Sequence, residues 1–425
     1  MTHSQVVSIE KPAYGGAFLA RLEGKATFVP LTLPGERARV RIVEDKRSYA
    51  KAEVEEILSP APERVAPKCP YFGVCGGCDY QHAGHETQLA LKQAILRETL
   101  ARAGVDLSVE IAFLAGEAWA YRNRIRLAFD ASGNPGYRGR KSHAVVPIKE
   151  CPIAAASLVN AALAFAEVRR RIPASLRPAE ISLFCNADES EMLAGAFITH
   201  RAKPDLDRIA DAWRERAPAI TGIEVVLEAQ SLRPSTTVAS WGAPSLAYQV
   251  AGFNYRVDNG AFFQVNRWLV DPLVDRVVAP HAGKLAWDLF AGVGLFARKL
   301  AATFDRVIAV ESAPDAVVSL KHNLSGTAAV AVAAPVLDFL HRHNNGSRPE
   351  LIVVDPPRNG LGPETTAQLA MIAAPSIVYV SCDPATLARD LRALCASGYA
   401  IHSVTLADLF PQTFHLETIV ELRHA

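Results

Sequence analysis

A chain of 425 residues that is half apolar and 21% charged is a folded protein of two or three domains, which excludes disorder. Its net charge of +1 excludes an affinity for nucleic acid based on bulk charge, so any such affinity has to come from local basic patches. The start, "MTHSQVVSIEK", lacks the basic-then-apolar order of a secretion signal, and the most apolar helix-like run (153–168) is interrupted by Ser157 and Asn160; a cytoplasmic protein without a membrane span is expected.

Residues 6–58 hold about five short runs of alternating apolar and polar residues, with the turn "LPGER" (33–37) between two of them. A small β-barrel of the oligonucleotide-binding type is expected over 1–60. The proline-rich joint "SPAPERVAPKCP" (59–70) follows, and Cys69, Cys75 and Cys78 lie within ten residues. Residues 84–104 have amphipathic helical spacing ended by Gly104, and this helix is expected to pack on the last domain. Residues 61–83 and 105–259 mix strands such as "RNRIRLAFD" and "ISLFCNA" with helices near 153–170 and 205–216, an α+β middle domain. From 260 to 425, runs such as "LAWDLF", "RVIAVE", "ELIVVD" and "SIVYVS" alternate with helices, which implies βαβ units and a Rossmann-like parallel sheet covered on both faces.

Several features of this last domain carry chemistry. In "LAWDLFAGVGLFARKL" (285–300) a strand runs into Gly292 and Gly294 and then a helix, where glycine lets the backbone approach a ligand closely. The next strand ends in Glu311, seventeen residues beyond Gly294, the usual place for a carboxylate that accepts ribose hydroxyls. The pattern D-x-F-x-G-x-G from Asp288 is not the G-x-G-x-x-G that cradles a pyrophosphate, so S-adenosylmethionine is expected rather than NAD. "LIVVDPPRNGLG" (351–362) ends a strand in Asp355 and two prolines, a stiff loop at the carboxyl end of the sheet. Alone, each of these stretches would also pass as a plain turn.

Cys382 ends the run "SIVYV" (376–380) at the same rim. A free cysteine by itself is more often a small buried hydrophobe than a nucleophile, and Cys395, inside a helix, illustrates that case. Beside a methyl-donor pocket the balance reverses. Glu417 starts the last strand within reach of the rim, with His415 two residues earlier. A thiolate and a base beside a methyl donor suit one reaction class. Addition of the thiolate at C6 of a pyrimidine makes C5 nucleophilic, and the base then removes the C5 proton.

The stretches "CPYFGVCGGCDYQH", "YRNRIRLAF", "SHAVVPIKECPI", "NGAFFQVN", "DLFAGVGLF", "VVDPPRNGL", "SCDPATLARDL" and "FPQTFHLETI" occur in this order along the whole chain. In them the chain resembles the RNA uracil-5 methyltransferases that use S-adenosylmethionine, and most closely the branch with an N-terminal TRAM domain and an iron–sulfur cluster. The resemblance implies that Cys382 is the nucleophile and Glu417 the general base. It implies a donor site of Gln264, Phe290, Leu295, Glu311, Asp338 and Asp355. Ala291 and Leu295 depart from the commoner family pattern, where cysteine and a polar residue are usual. By the same resemblance the partner is RNA, ribosomal 23S RNA before transfer RNA, and a monomer is the default. A cytosine-C5 methyltransferase and a non-catalytic RNA-binding or assembly factor are the rival readings; neither matches "SCDPATLARDL" together with intact Asp355, Cys382 and Glu417.

Cys69, Cys75 and Cys78, in the spacing C-x5-C-x2-C, together with Cys151 supply four thiolates, which suit zinc or an iron–sulfur cluster. Only one C-x2-C pair is present, so the residues lean towards iron–sulfur, and the resemblance implies a [4Fe–4S] cluster with a structural role. Arg122, Arg124 and Arg126 alternate along one strand, and Tyr137, Arg138, Arg140 and Lys141 follow; such stretches suit phosphate contact and base stacking, or equally a solvated charged face.

Overall fold

The structure, a computed structural model, describes residues 4–200, 204–228, 235–343 and 348–424. The alternation of the first sixty residues closes into a barrel. Strands β1 (Ser4–Ala13), β2 (Ala17–Leu22), β3 (Lys25–Pro30), β4 (Arg37–Asp45) and β5 (Tyr49–Ser59) pair in the order β1-β2-β3-β5-β4, and β4 closes on β1. Val7, Phe18, Val29 and Val40 fill it. The buried Glu36 carboxylate locks the joint to the barrel: it accepts hydrogen bonds from Arg64 Nε and Nη2 at 2.5 and 2.8 Å.

Helix α1 (His85–Arg102) is wedged between barrel and catalytic sheet, with Leu91 in the barrel core and Ile95, Leu96 and Leu100 against Trp287 and Leu406. Strand β6 (Ile111–Leu114) then adds in parallel to the far edge of the catalytic sheet. The boundary at 105 therefore differs from the expected one. A four-residue strand carries too little periodicity to name its sheet.

The middle domain is a seven-stranded sheet of β7 (Arg124–Phe129), β8 (Pro135–Arg138), β9 (Val145–Pro147), β10 (Glu180–Cys185), β11 (Met192–Ile198), β12 (Ile220–Leu227) and β13 (Thr236–Gly242), in the order β13-β12-β11-β10-β7-β8-β9. Helices α2 (Ala156–Arg171) and α3 (Leu206–Arg214) cover one face, where Phe165 and Trp213 meet at 4.4 Å between ring centroids. A hairpin of β14 (Ser245–Val250) and β15 (Phe253–Asp258) follows. Its Tyr248, Tyr255 and Val257 belong to the core of the catalytic domain, so the boundary expected at 259/260 also moves to earlier residues.

The catalytic sheet takes β16 (Gly283–Leu289), β17 (Phe304–Glu311), β18 (Ala329–Ala333), β19 (Leu351–Val354), β20 (Ser376–Ser381), β21 (Tyr399–Ala407) and β22 (Glu417–His424) in the order β18-β17-β16-β19-β20-β22-β21-β6. β16 to β20 run parallel, and β22 is antiparallel to both of its neighbours. Helices α4 (Val270–Val278), α5 (Leu295–Leu300) and α6 (Pro314–Leu324) pack on one face. The other face carries α1, α7 (Val336–His343), α8 (Gly362–Ile372) and α9 (Pro384–Ala396). Strands covered on both faces read as unbroken apolar runs, and all four residues of β19 are buried. Among the described residues no helix is long and apolar enough to cross a membrane.

Candidate active site

Sheet register brings the expected nucleophile and base together. Ser381 on β20 pairs with Thr418 on β22, so Cys382, one residue beyond, and Glu417, one residue before, leave the sheet at the same point. This is the carboxyl end of the parallel strands, where Glu311 and Asp355 also end up, and an open α/β sheet binds its ligands there. A cavity of about 780 Å³ lies over this edge. Gln264, Phe290, Leu295, Glu311, Asp355, Cys382 and Glu417 all line it. Asp338 does not: it is exposed on the first turn of α7, because the helix turns Val336, Phe339 and Leu340 inwards instead.

The glycine loop is shaped for close approach. Gly294 has φ 88°, and a Cβ there would lie 2.8 Å from Leu320 Cδ1, whereas a Cβ on Gly292 would meet only open space on the cavity side. Phe290 holds φ 63°, strain for a bulky residue of the kind that gathers at functional sites. Glu311 accepts the N–H of Gly292 at 2.9 Å with Oε2 and those of Ser312 and Ala313 with Oε1, which leaves a lone pair on Oε2 for a hydroxyl donor. Leu295 and Ala291, the two departures from the family pattern, are buried apolar wall.

Burial dominates the electrostatics. It pushes the Cys382 thiol up to about 12, with Glu417 and Asp355 adding to the shift and Arg358 opposing it. Burial also raises Asp355 to about 7, and burial together with Asp355 holds Glu417 well above the usual carboxylate range. Asp288, buried beneath the loop, is pushed up to about 8; its Oδ2 accepts the Ala297 N–H at 2.8 Å, and its Oδ1 has no partner among the described residues. A cation entering this cavity opposes these shifts, since it favours the thiolate and the carboxylates together. Asp383 caps α9 through the N–H groups of Ala385 and Thr386, at 3.0 and 2.9 Å, and so fixes the turn that presents Cys382.

Other residues at the cavity were not singled out from sequence. Phe262 lines it at 64% exposure, an aromatic face open to the cavity. Arg358 follows the two prolines and was legible in "DPPR". Outside the cavity lining, Tyr14 of the barrel turn packs edge-on against Phe414 at 5.5 Å, a meeting that no local pattern announces.

Cys69, Cys75, Cys78 and Cys151 line a second, smaller cavity of about 80 Å³. Among the described residues no three His, Cys, Asp or Glu side chains converge as a single-ion site. Zinc needs its sulfurs about 2.3 Å from one point; thiols spaced round a cavity suit a larger, all-sulfur-ligated group. The Gly77 N–H points at Cys75 Sγ, 3.4 Å away, a contact that favours a ligating thiolate.

The basic residues divide. Arg122, Arg124 and Arg126 line one groove of about 480 Å³ that adjoins the large cavity, and Tyr137 reaches the same groove. Arg124, however, is not on an open face: its Nη1 donates to Ala261 O at 2.7 Å and its guanidinium lies 4.2 Å from the Phe184 ring centre. Arg126 pairs with Glu180 and Glu228, Arg138 with Glu180, and Arg140 with Asp79. Tyr137 also lines the cysteine cavity, beside Cys151. Lys141 is exposed. Arg122 lines all three cavities, and its guanidinium has no ion pair or hydrogen bond among the described residues. Period-two alternation tells which residues share a face but not what covers it.

A barrel, a middle sheet with a cationic groove, and a Rossmann-like sheet with a glycine loop over a deep cavity define an RNA-modifying methyltransferase. Residues 345–425 match the family described as tRNA (Uracil-5-)-methyltransferase, and residues 4–54 match the TRAM domain. An uncharacterized RNA methyltransferase of Streptomyces avermitilis is 34% identical over 99% of this chain and 98% of its own. The 23S rRNA (uracil(1939)-C(5))-methyltransferase RlmD of Chromohalobacter salexigens is 33% identical over 98% of this chain and 88% of its own. The crystal structure of Pyrococcus abyssi tRNA (uracil-54, C5)-methyltransferase with S-adenosyl-L-homocysteine shares the fold, at TM-score 0.78 and 23% identity, over 98% of this chain and 99% of that one. The chain belongs to the family of RNA uracil-5 methyltransferases.

Proposed function

We propose that the protein methylates C5 of a uridine in 23S ribosomal RNA, in the cytoplasm, with S-adenosylmethionine as donor and through a covalent adduct on Cys382. The observation that carries this reading is the register that sets Cys382 and Glu417 side by side over one cavity large enough for a nucleoside and the donor. The Cys382 thiol gives up its proton to solvent, the thiolate Sγ bonds to C6 of the uracil, and the C5–C6 π pair moves towards the O4 enolate. C5 then bonds to the donor methyl as the sulfur–methyl bond breaks, which releases S-adenosylhomocysteine. Glu417 takes the C5 proton; the C5–C6 double bond returns and the thiolate leaves. Gln264, Phe290, Leu295, Glu311 and Asp355 hold the donor, with Glu311 on the ribose hydroxyls. Because the target must leave its stack to reach the cavity, folded RNA loops are the substrate class.

Tritium release from C5-tritiated uridine, in unmodified 23S rRNA and separately in unmodified tRNA, tests the reading. Release from 23S rRNA is the expected result. Release from tRNA alone would move the substrate, and none from either, with donor bound, would leave only a binding protein.

Arg122 is the residue we assign to an RNA phosphate. Arg122→Gln is expected to weaken RNA binding and to reduce the slope of log affinity against log salt by about one. An unchanged slope would return Arg122 to a structural part.

The four cysteines suit a [4Fe–4S] cluster that ties the joint to the middle domain, since they lie on 69–78 and at 151. Such a cluster supplies cross-linking and, if reducible, electron storage. Protein purified without oxygen is expected to be brown with equal iron and sulfide, and Cys78→Ser to lose the colour and melt at lower temperature. A colourless protein with stoichiometric zinc would refute the cluster.

A further inference from the structure

We propose that α1 is a positioning element for Glu417, with Gln88 and Lys92 as the side chains that act; this rests on the reading of Glu417 as the base. Glu417 follows a loop, 408–416, that joins β21 to β22, and five consecutive residues of that loop are held from outside the strands it connects. Asp408 is buried and takes Lys92 Nζ at 2.6 Å on one oxygen and His85 Nε2 at 2.8 Å on the other. Leu409 O accepts from Asn266 Nδ2 at 3.1 Å, Phe410 O from Lys92 Nζ at 2.9 Å, and Pro411 O from the Tyr121 hydroxyl at 3.0 Å. Gln412 sits at φ 69°, a conformation costly for any residue but glycine. It is held there by a reciprocal amide pair with Gln88, at 2.8 and 2.9 Å, and by the N–H groups of Asp79 and Tyr80 on its carbonyl.

Stability alone gives no reason for this arrangement. A fully buried ion pair such as Lys92–Asp408 contributes little more than apolar side chains of the same shape, but it admits one geometry only. Gln88 uses both of its N–H groups and its oxygen within the buried contact, on Ala83 O and on Gln412. Both side chains therefore specify where the loop runs. The consequence falls on Phe410, His415 and Glu417, which the loop delivers to the cavity wall. Asp79 follows Cys78 directly, so the cysteine segment grips the same loop.

The test compares full-length wild type with Gln88→Leu and Glu417→Gln in steady-state assays on the RNA substrate, with the covalent adduct followed alongside. If α1 positions the base, Gln88→Leu lowers kcat about 100-fold, as expected for a reacting group misplaced by roughly 1 Å. The KM for RNA stays unchanged, cooperative melting is kept, and the covalent RNA adduct accumulates as in Glu417→Gln. Adduct in Glu417→Gln but not in Gln88→Leu, or an undiminished kcat in Gln88→Leu, would overturn the role of α1 and leave the base intact. No adduct in Glu417→Gln would remove the base itself. Should Gln88→Leu fail to fold, Lys92→Arg carries the same comparison, because it keeps the charge and shifts the contact to Phe410 O.

Discussion

Glu417→Gln is expected to stop the enzyme with RNA attached. Loss of a positioned base lowers turnover by about 10²–10⁴-fold, yet in the proposed mechanism addition at C6 and methyl transfer precede the proton removal and go forward. The trapped species is a protein–RNA complex that survives denaturant and carries the methyl label of the donor. The electrostatics favour this order of events. Burial and Asp355 raise the proton affinity of Glu417, and the positive donor sulfur opposes that shift while it is present. Methyl transfer neutralises the sulfur, so the carboxylate becomes the stronger base just when C5 has a proton to give up. An inactive Glu417→Gln without labelled adduct would show that the residue acts before methyl transfer.

Cys382→Ala is expected to abolish both adduct and tritium release, with a fall in turnover of about 10⁵-fold or more and the donor still bound. The wild-type thiol has a signature of its own. It is pushed up to about 12, so below that pH the thiol is the dominant form, and the thiolate fraction rises about tenfold with each pH unit. Alkylation of Cys382 should therefore climb with pH and show no plateau in the neutral range. At a fixed pH it should be faster with S-adenosylmethionine bound than with S-adenosylhomocysteine, whose sulfur is uncharged and whose bulk is nearly the same. Equal rates with the two would mean that the donor cation does not arm the thiol and that another group takes its proton.

What was legible in the sequence was local. The barrel alternation, the strand–glycine–helix turn at 285–300 and the ends of β17, β19 and β20 are patterns within single segments, and the structure contains each of them. Segments without enough periodicity were assigned to the wrong sheet or core: β6 joined the catalytic sheet, and the β14–β15 hairpin joined the catalytic core. Alternation put Arg124 and Arg126 on one face of their strand, but what covers Arg124 came from elsewhere, from Ala261 and Phe184, and Tyr137 lies against the cysteine cavity.

The sequence by itself determined the elements of this protein and the chemical types available at their ends: a thiol after β20, a carboxyl at the start of β22, and glycines after β16. Only the tertiary structure decided how they act together. Antiparallel insertion of β22 beside β20 sets Glu417 next to Cys382, although 34 other residues separate them in the chain. Burial of that corner shifts the proton affinities far from their ordinary values. Register and desolvation depend on contacts between distant segments, and a local pattern cannot encode them.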